Sequence, residues 1–324
     1  NCGLEDYPFA LPDYALSLTE NGDTIRISSG TYLTRWTEMT IENDVVIIGE
    51  NKENTILDGF NSNVIYIHQN SSPTLDNLTI RGSFGQNQAG GIKINGASPI
   101  LKNLIIEDND VLEDGGGLYI SKDGDGNVAN PTITNCIFRN NYAGSKGGAV
   151  YLTEGAAPQF YNCLFHKNIA SDRGGAVSSG TAYPTFINCT FVDNEALANG
   201  TGSAIDLRNS SNAIITNSII LPDNGDIINY NTNSSVSVSY SNCAGSCPED
   251  DGTNIDEDPK FVDYNLENDI EENDFNLLFS SPCIDTGDPS ITDLDGTRSD
   301  MGAYYYDQIA NPLPDSQITL TINS

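Results

Sequence analysis

The strongest constraint in this chain is a five-residue pattern that returns six times. Aligned on one asparagine, the copies read DNLTI (76–80), KNLII (102–106), TNCIF (134–138), YNCLF (161–165), INCTF (187–191) and TNSII (216–220). The asparagines Asn77, Asn103, Asn135, Asn162, Asn188 and Asn217 are spaced by 26, 32, 27, 26 and 29 residues. A period of this size marks a solenoid, in which each repeat buries its apolar face only against its neighbours.

Within a repeat the apolar positions alternate, as strands require. Ile133, Cys136 and Phe138 are expected to face inward and Thr132, Thr134, Ile137 and Arg139 outward, with a bend at the asparagine. A second strand follows glycines in GGIKI (90–94), GGLYI (116–120), GGAVYL (147–152), GGAVSS (174–179) and GSAIDL (202–207). Those glycines permit tight corners and positive φ. No copy has room for a ten-residue helix. Short strands and short corners, about three strands per turn, predict an all-β chain folded as a single-stranded right-handed parallel β-helix.

Stacking turns equivalent positions into ladders. The six asparagines are expected to form an inward ladder that satisfies corner backbone groups. Asn77 and Asn188, which begin two of the six N-x-S/T sequons, would then be unavailable to glycosylation. Ile106, Phe138, Phe165 and Phe191 form an apolar ladder, and Leu78, Leu104, Cys136, Cys163, Cys189 and Ser218 form another. The three cysteines of that ladder read as small core hydrophobes. Of the four others, Cys243 and Cys247 suit a local disulfide, and Cys2 and Cys283 form a candidate pair.

Here the chain resembles a known group. Gly147-Gly148-Ala149-Val150 and Phe138-Arg139-Asn140-Asn141 are similar to the GGA(V/I) and FxxN repeats of polymorphic outer-membrane and autotransported β-helix proteins. NGDTIRISSGTYL and VVIIGENKENTILDG (21–33, 45–59) resemble the opening coils of the pectate-lyase-like superfamily. Residues 258–304 resemble the closing segment of many secreted bacterial β-helix proteins. The resemblance implies this fold and secretion to the cell surface or beyond. It leaves activity open, because the superfamily holds lyases, hydrolases, esterases, adhesins and fibres.

A solenoid grows in one dimension, so 324 residues need not split into two domains. The expected parts are an N-terminal cap (1–22), the β-helix (23–248), a final coil and irregular C-terminal cap (249–310), and an extended tail strand (311–324). A short helix is expected within residues 8–21, with Leu11, Ala15 and Leu18 on its covered face. The tail alternates Ile318, Leu320 and Ile322 on one face, as a strand laid on its own helix or paired with a neighbouring subunit. No hydrophobic run is long enough to insert in a membrane, and the opening at Asn1-Cys2 reads as a chain whose export signal has been removed.

With 45 acidic against 14 basic residues the formal charge is −31. That field argues against nucleic acid and anionic membranes as partners. Two acidic groups are candidate Ca²⁺ sites. The six-residue surplus of the 32-residue repeat lies in the loop DGDGN (123–127), where Asp123, Asp125 and Asn127 alternate as in the first half of an EF-hand loop. The alternative there is a plain Asp-Gly turn, because the sixth-position glycine and twelfth-position glutamate are missing. The second group is Asp285, Asp288, Asp293, Asp295 and Asp300.

Three outward columns bear on function. Tyr66, Lys93, Tyr119, Tyr151, Ser178 and Asp206 follow the glycines, and Tyr66, Tyr119 and Tyr151 are candidates for stacking on sugar rings of a surface glycan. Arg139 and His166, one coil apart, are the best candidates for the base and cation of a polysaccharide lyase. Ile105, Ile137, Leu164 and Ile219 form an outward apolar stripe that needs a cover, either the chain's own tail or another subunit. The stripe and tail make the leading expectation a structural or adhesive surface protein that self-assembles into fibres. The alternative is a calcium-assisted carbohydrate-active enzyme, a lyase or glycosidase.

Overall fold

The computed structural model describes residues 9–312, apart from 35–37, 61, 69, 86–87, 199–201, 222–225, 244–246 and 265–272. The chain is a right-handed parallel β-helix. Three long parallel sheets run its length, and all three repeat in every coil. In one coil, Ile100–Lys102 belongs to the first sheet, Ile105–Glu107 to the second and Leu118–Ser121 to the third. The first and second sheets have nine strands each and the third has eight. A fourth, narrow sheet of two-residue strands, Phe84–Gly85 to Glu195–Ala196, lies between the second and third sheets in five coils. The middle coils are therefore four-sided, where three strands per turn were expected.

Register across coils is set by alternation. Ile133 pairs with Phe160 and Phe160 with Phe186 in the first sheet, and Phe138 with Phe165 and Phe165 with Phe191 in the second. A one-residue slip would put each of these rings in solvent. The rings of Phe138, Phe165 and Phe191 stack at 4.9 and 4.6 Å, and Phe160 and Phe186 at 4.9 Å. All five are fully buried, each burial stabilising by about 1.5–3 kcal/mol. Cys136, Cys163 and Cys189 lie in the same core as free thiols, as expected.

The asparagine pattern marks a corner but not the inner ladder. Asn77, Asn103, Asn135, Asn162, Asn188 and Asn217 all have φ between 52° and 64°. That left-handed turn connects the first and second sheets and holds their side chains at the surface, where Asn135 is exposed. Asn188 and Asn217 are buried only because the C-terminal cap covers them. The buried ladder consists of Asn109, Asn141, Asn168 and Asn194, the last residues of the FxxN units. Each Nδ2 of Asn109, Asn141 and Asn168 donates to the next coil's Oδ1 at 2.9 Å and to a main-chain carbonyl. The same Oδ1 atoms accept main-chain N–H groups. Beyond this ladder, Gly148 turns into the third sheet so tightly that an added Cβ would sit 2.2 Å from the Gly175 carbonyl.

The helix is shorter than expected, Pro12–Leu16, and buries Pro12 and Leu16. Leu11 and Leu18 are half exposed, because a five-residue helix has room for one turn only. Cys243 and Cys247 form the expected disulfide. Cys283 is a buried free thiol, with Sγ taking the amide of Asn242; Cys2 lies outside the described residues. Burial pushes this thiol up to about 11.

After the last coil the chain doubles back. Phe261–Asp263 and Asp274–Leu277 pair antiparallel and lie on the outside of the second sheet. Phe261, Phe275, Leu277, Ile284, Met301 and Ala303 pack with Leu164, Val192 and Ile219, and Ile137 and Tyr304 join them. The outward apolar stripe is thus covered by the chain's own C-terminal cap. The tail expected to do this begins at the edge of the described residues, and 313–324 lie outside them.

Candidate functional site

The third sheet is left open where the cap covers the second. Its outward residues form two columns. One is Tyr66, Lys93, Tyr119, Tyr151, Ser178 and Asp206; the other is His68, Asn95, Ser121, Thr153, Gly180 and Arg208. Parallel pairing stacks each residue on its counterpart in the next coil, so the sheet presents a row of polar and aromatic groups along the solenoid axis.

The first four members are linked through their rings. Lys93 Nζ lies 5.7 Å from the Tyr66 ring centre and 6.0 Å from that of Tyr119, within cation–π range. Tyr119 and Tyr151 meet at 5.6 Å with a 38° tilt, and Lys146 Nζ stands 5.4 Å from Tyr151. Tyr66 also stacks on His68 at 4.4 Å. Of the three tyrosines expected to meet sugar, Tyr119 is 7% exposed and is largely closed off by its neighbours. Burial pushes its hydroxyl well above the usual range, with the charges of Tyr151, Glu154 and Asp114 adding to the shift. Tyr66 and Tyr151 are partly exposed. Next to Tyr151 the strand carries Gly180, where an added Cβ would approach the Tyr151 hydroxyl to 3.1 Å. Glycine there leaves the hydroxyl its space.

The column ends in two buried polar groups. Asp206 is fully buried, and Arg208 donates to it through Nε and Nη2 at 2.8 Å each. This two-point contact fixes the carboxylate plane. Ser178 is one coil away in register with Asp206. Ser178 is 1% exposed, and its Oγ has no hydrogen-bond partner among the described residues. Buried hydroxyls are as a rule hydrogen-bonded. Asp206, Arg208 and Ser178 were not singled out as chemical candidates from sequence. The signal was their place in the tyrosine column, which by itself does not distinguish a site from a sheet surface.

Arg139 and His166 lie on the second sheet, next to a cleft of about 310 Å³ between that sheet and the cap, which Asp274, Asn276 and Tyr304 also line. Both are already engaged. Arg139 donates through Nε and Nη2 to one oxygen of Glu107, at 2.7 and 2.6 Å. His166 is 1% exposed beneath Phe275, and its Nε2 lies 3.2 Å from Asp193 Oδ2. Burial holds His166 below its usual range despite Asp193. For Asp193 burial acts upward, but the bonds from His166 and Tyr264 outweigh it and hold it low. The pair is a neutral Nε2–H imidazole donating to a carboxylate. The structure thus places Arg139 and His166 at the cleft with each already paired to a carboxylate, Glu107 and Asp193.

The two acidic groups do not assemble ligand sets. Asp123 accepts the main-chain N–H groups of Asp125 and Asn127 and the amide of Asn127, so the loop closes on itself as an Asp-Gly turn. In the cap, Asp285 and Asp295 take Gln308, Asp288 takes Ser290, and Asp293 takes Ser299 and Asp300 N. Asp300 accepts the N–H groups of Asp285 and Tyr306, while burial pushes its carboxyl up to about 7. Among the described residues, no three histidine, cysteine or carboxylate side chains are placed to hold a metal ion.

The model of the right-handed beta helix region matches residues 42–191 and 126–275. The chain belongs to this family. Among solved β-helix structures, it is similar to a pectin methylesterase from Yersinia enterocolitica, at 12% identity over 77% of this chain and 94% of that one, with a TM-score of 0.49. It is also similar to a pectin methylesterase variant in complex with a hexasaccharide, at 11% identity over 78% of this chain and 91% of that one, with a TM-score of 0.50. At these identities the likeness concerns the fold. No curated protein matches the sequence.

Proposed function

We propose that this β-helix protein is a carbohydrate-active enzyme whose polysaccharide lies along the outside of the third sheet. The observation that carries this reading is the end of the tyrosine column. A buried carboxylate, Asp206, is held by Arg208 beside the unpartnered hydroxyl of Ser178. Tyr66 and Tyr151 offer partly exposed ring edges and faces to sugars, and Lys93 and Lys146 offer hydroxyl- or carboxylate-binding charge. In this scheme Arg208, the partly exposed member of the pair, meets the substrate. The buried Asp206 carboxylate orients its guanidinium, and Ser178 Oγ hydrogen-bonds the substrate.

The structural or adhesive reading rested on an apolar stripe in search of a cover. That stripe lies under the cap, which removes the main reason for it. The test is incubation with neutral, uronate and esterified polysaccharides, following reducing ends, unsaturated products and released alcohol or acid. Asp206→Asn is expected to abolish product formation and also to lower the melting temperature, because it leaves Arg208 without its charge partner, so circular dichroism at the assay temperature must show the variant folded. Full activity in Asp206→Asn, or no product from any substrate, would overturn the proposal.

A further inference from the structure

The first sheet differs from the rest of the surface in charge. Its outward residues run from Thr24 and Arg26 through Val46, Ile48, Thr74, Asp76, Ile100 and Lys102. They continue through Thr132, Thr134, Gln159, Tyr161, Thr185 and Ile187 to Ile214 and Thr216, then end at Ser237 and Ser239. Only Arg26, Asp76 and Lys102 are charged, and Lys102 Nζ meets Asp76 at 3.1 Å. From Thr132 onward the outward side chains carry no charge at all. The molecule as a whole carries −31, and residues 249–310 hold 18 of the 45 acidic residues and only two of the 14 basic ones. Neutrality on this one face is not a consequence of composition.

Among the described residues the face is also exposed in part and partly apolar. Its nine strands pair in register, and Ile100 and Ile214 are 45% and 53% exposed. Val128 and Tyr183, just before two of the strands, extend the apolar area, at 41% and 46% exposed.

We propose that this face is where two copies of the chain associate, first sheet against first sheet, about a two-fold axis. The argument is electrostatic. Two molecules of like charge −31 repel on every side where their acids face each other, and at this sheet they meet uncharged surface. Sheets packed face to face sit about 10 Å apart, close to the ~8 Å over which physiological salt screens charge, so repulsion from the acids of the other sides is reduced but not abolished. Nine strands of three to five residues offer roughly 500 Å² per copy, about 1,000 Å² in all, at the low end for specific interfaces. The expected association is accordingly weak and concentration-dependent.

Sedimentation equilibrium of the intact chain tests it. The weight-average mass is expected to rise from 34.8 kDa towards twice that with concentration, and to rise further with added salt, which screens the acidic rim. Ile214→Lys and Gln159→Lys each bury an unpaired charge in the contact on both copies and are expected to weaken the dimer at least ~10-fold. Both positions are exposed, and unchanged melting would show that the fold persists. Wild type that keeps the single-chain mass at every concentration and salt overturns the proposal. So does undiminished association in both variants. A monomer that binds insoluble neutral glucan, and loses that binding in Ile214→Lys, would overturn it in favour of a sugar-covered face.

Discussion

Asp193 accepts the phenolic hydroxyl of Tyr264 at 2.6 Å, across 71 residues of sequence. One residue is a left-handed corner of the solenoid, with φ of 55°, and the other belongs to the cap. With His166 on the other carboxylate oxygen, the bond ties the cap to two successive coils. Removing the carboxylate leaves a buried imidazole and a hydroxyl without it. Asp193→Ala is expected to cost about 2–3 kcal/mol and Tyr264→Phe about 1 kcal/mol. Urea midpoints would measure both. Hydrogen exchange should show the loss concentrated in Phe261–Asp263 and Asp274–Leu277.

The same contact gives the cap an acid limit. His166 and Asp193 both titrate below their usual values in the folded protein. For each, the unfolded chain binds its proton first, so stability is fully present above the unfolded pKa and is lost as pH falls. For His166 the loss begins below about 6.5, and Asp193 adds to it below about 4. Melting temperature should decline through that window, and His166→Gln should flatten the upper part of the decline.

Asp300 acts in the opposite direction. Burial raises its carboxyl to about 7, far above the unfolded value, so its contribution is greatest at low pH and is lost as pH rises towards 7. Asp300→Asn removes this slope. The difference in melting temperature between wild type and variant should therefore change steadily between about pH 4 and 7 and level off above. A constant difference across that range would show that Asp300 does not titrate there.

The two asparagine ladders should respond differently to alanine. Asn168 donates to Phe138 O and Asn194 Oδ1 and accepts from Asn141 N and Nδ2, all buried. Asn168→Ala strands several of these groups and is expected to cost on the order of 3–5 kcal/mol. Asn135→Ala, at an exposed corner with φ of 54°, loses mainly the asparagine's tolerance of that conformation, about 1–2 kcal/mol. Equal costs at the two sites would mean that the ladders have been assigned the wrong way round.

Cys136, Cys163, Cys189 and Cys283 are buried, and burial pushes the thiols of Cys136, Cys163 and Cys283 upward. Iodoacetamide at neutral pH should leave all four unmodified in the native protein and alkylate all four in urea, as peptide mapping by mass spectrometry would show.

The core was legible because a strand's period of two is written directly in side chains, so Ile133, Cys136 and Phe138 could be placed inside from spacing alone. The ladders were harder. Asn77 and its equivalents fit an inward position by alternation, but a positive φ at each of them turns the side chain to the corner. Asparagine's tolerance of positive φ is the sequence signal for such a corner, but it does not exclude an inward side chain, and the FxxN asparagines were legible only through the repeat resemblance. The cap was the least legible part. Phe261, Phe275 and Met301 show no period, and their partners Leu164 and Ile219 are close only after the chain reverses. The stripe revealed that a cover was needed but not which segment supplies it. The third-sheet column was legible as a column, whereas the Arg208 fork on Asp206 and the unpartnered Ser178 hydroxyl are matters of side-chain conformation.

A lid that follows the coils in sequence is synthesised after them. Leu164 and Ile219 leave the ribosome well before Phe261, Phe275 and Met301. Until then, stacked coils display a ready apolar strip with nothing to shield it. Growth of this protein therefore passes through a sticky half-finished state whose length is set by translation speed. A nonsense mutation between Ile219 and Phe261 would make that state permanent.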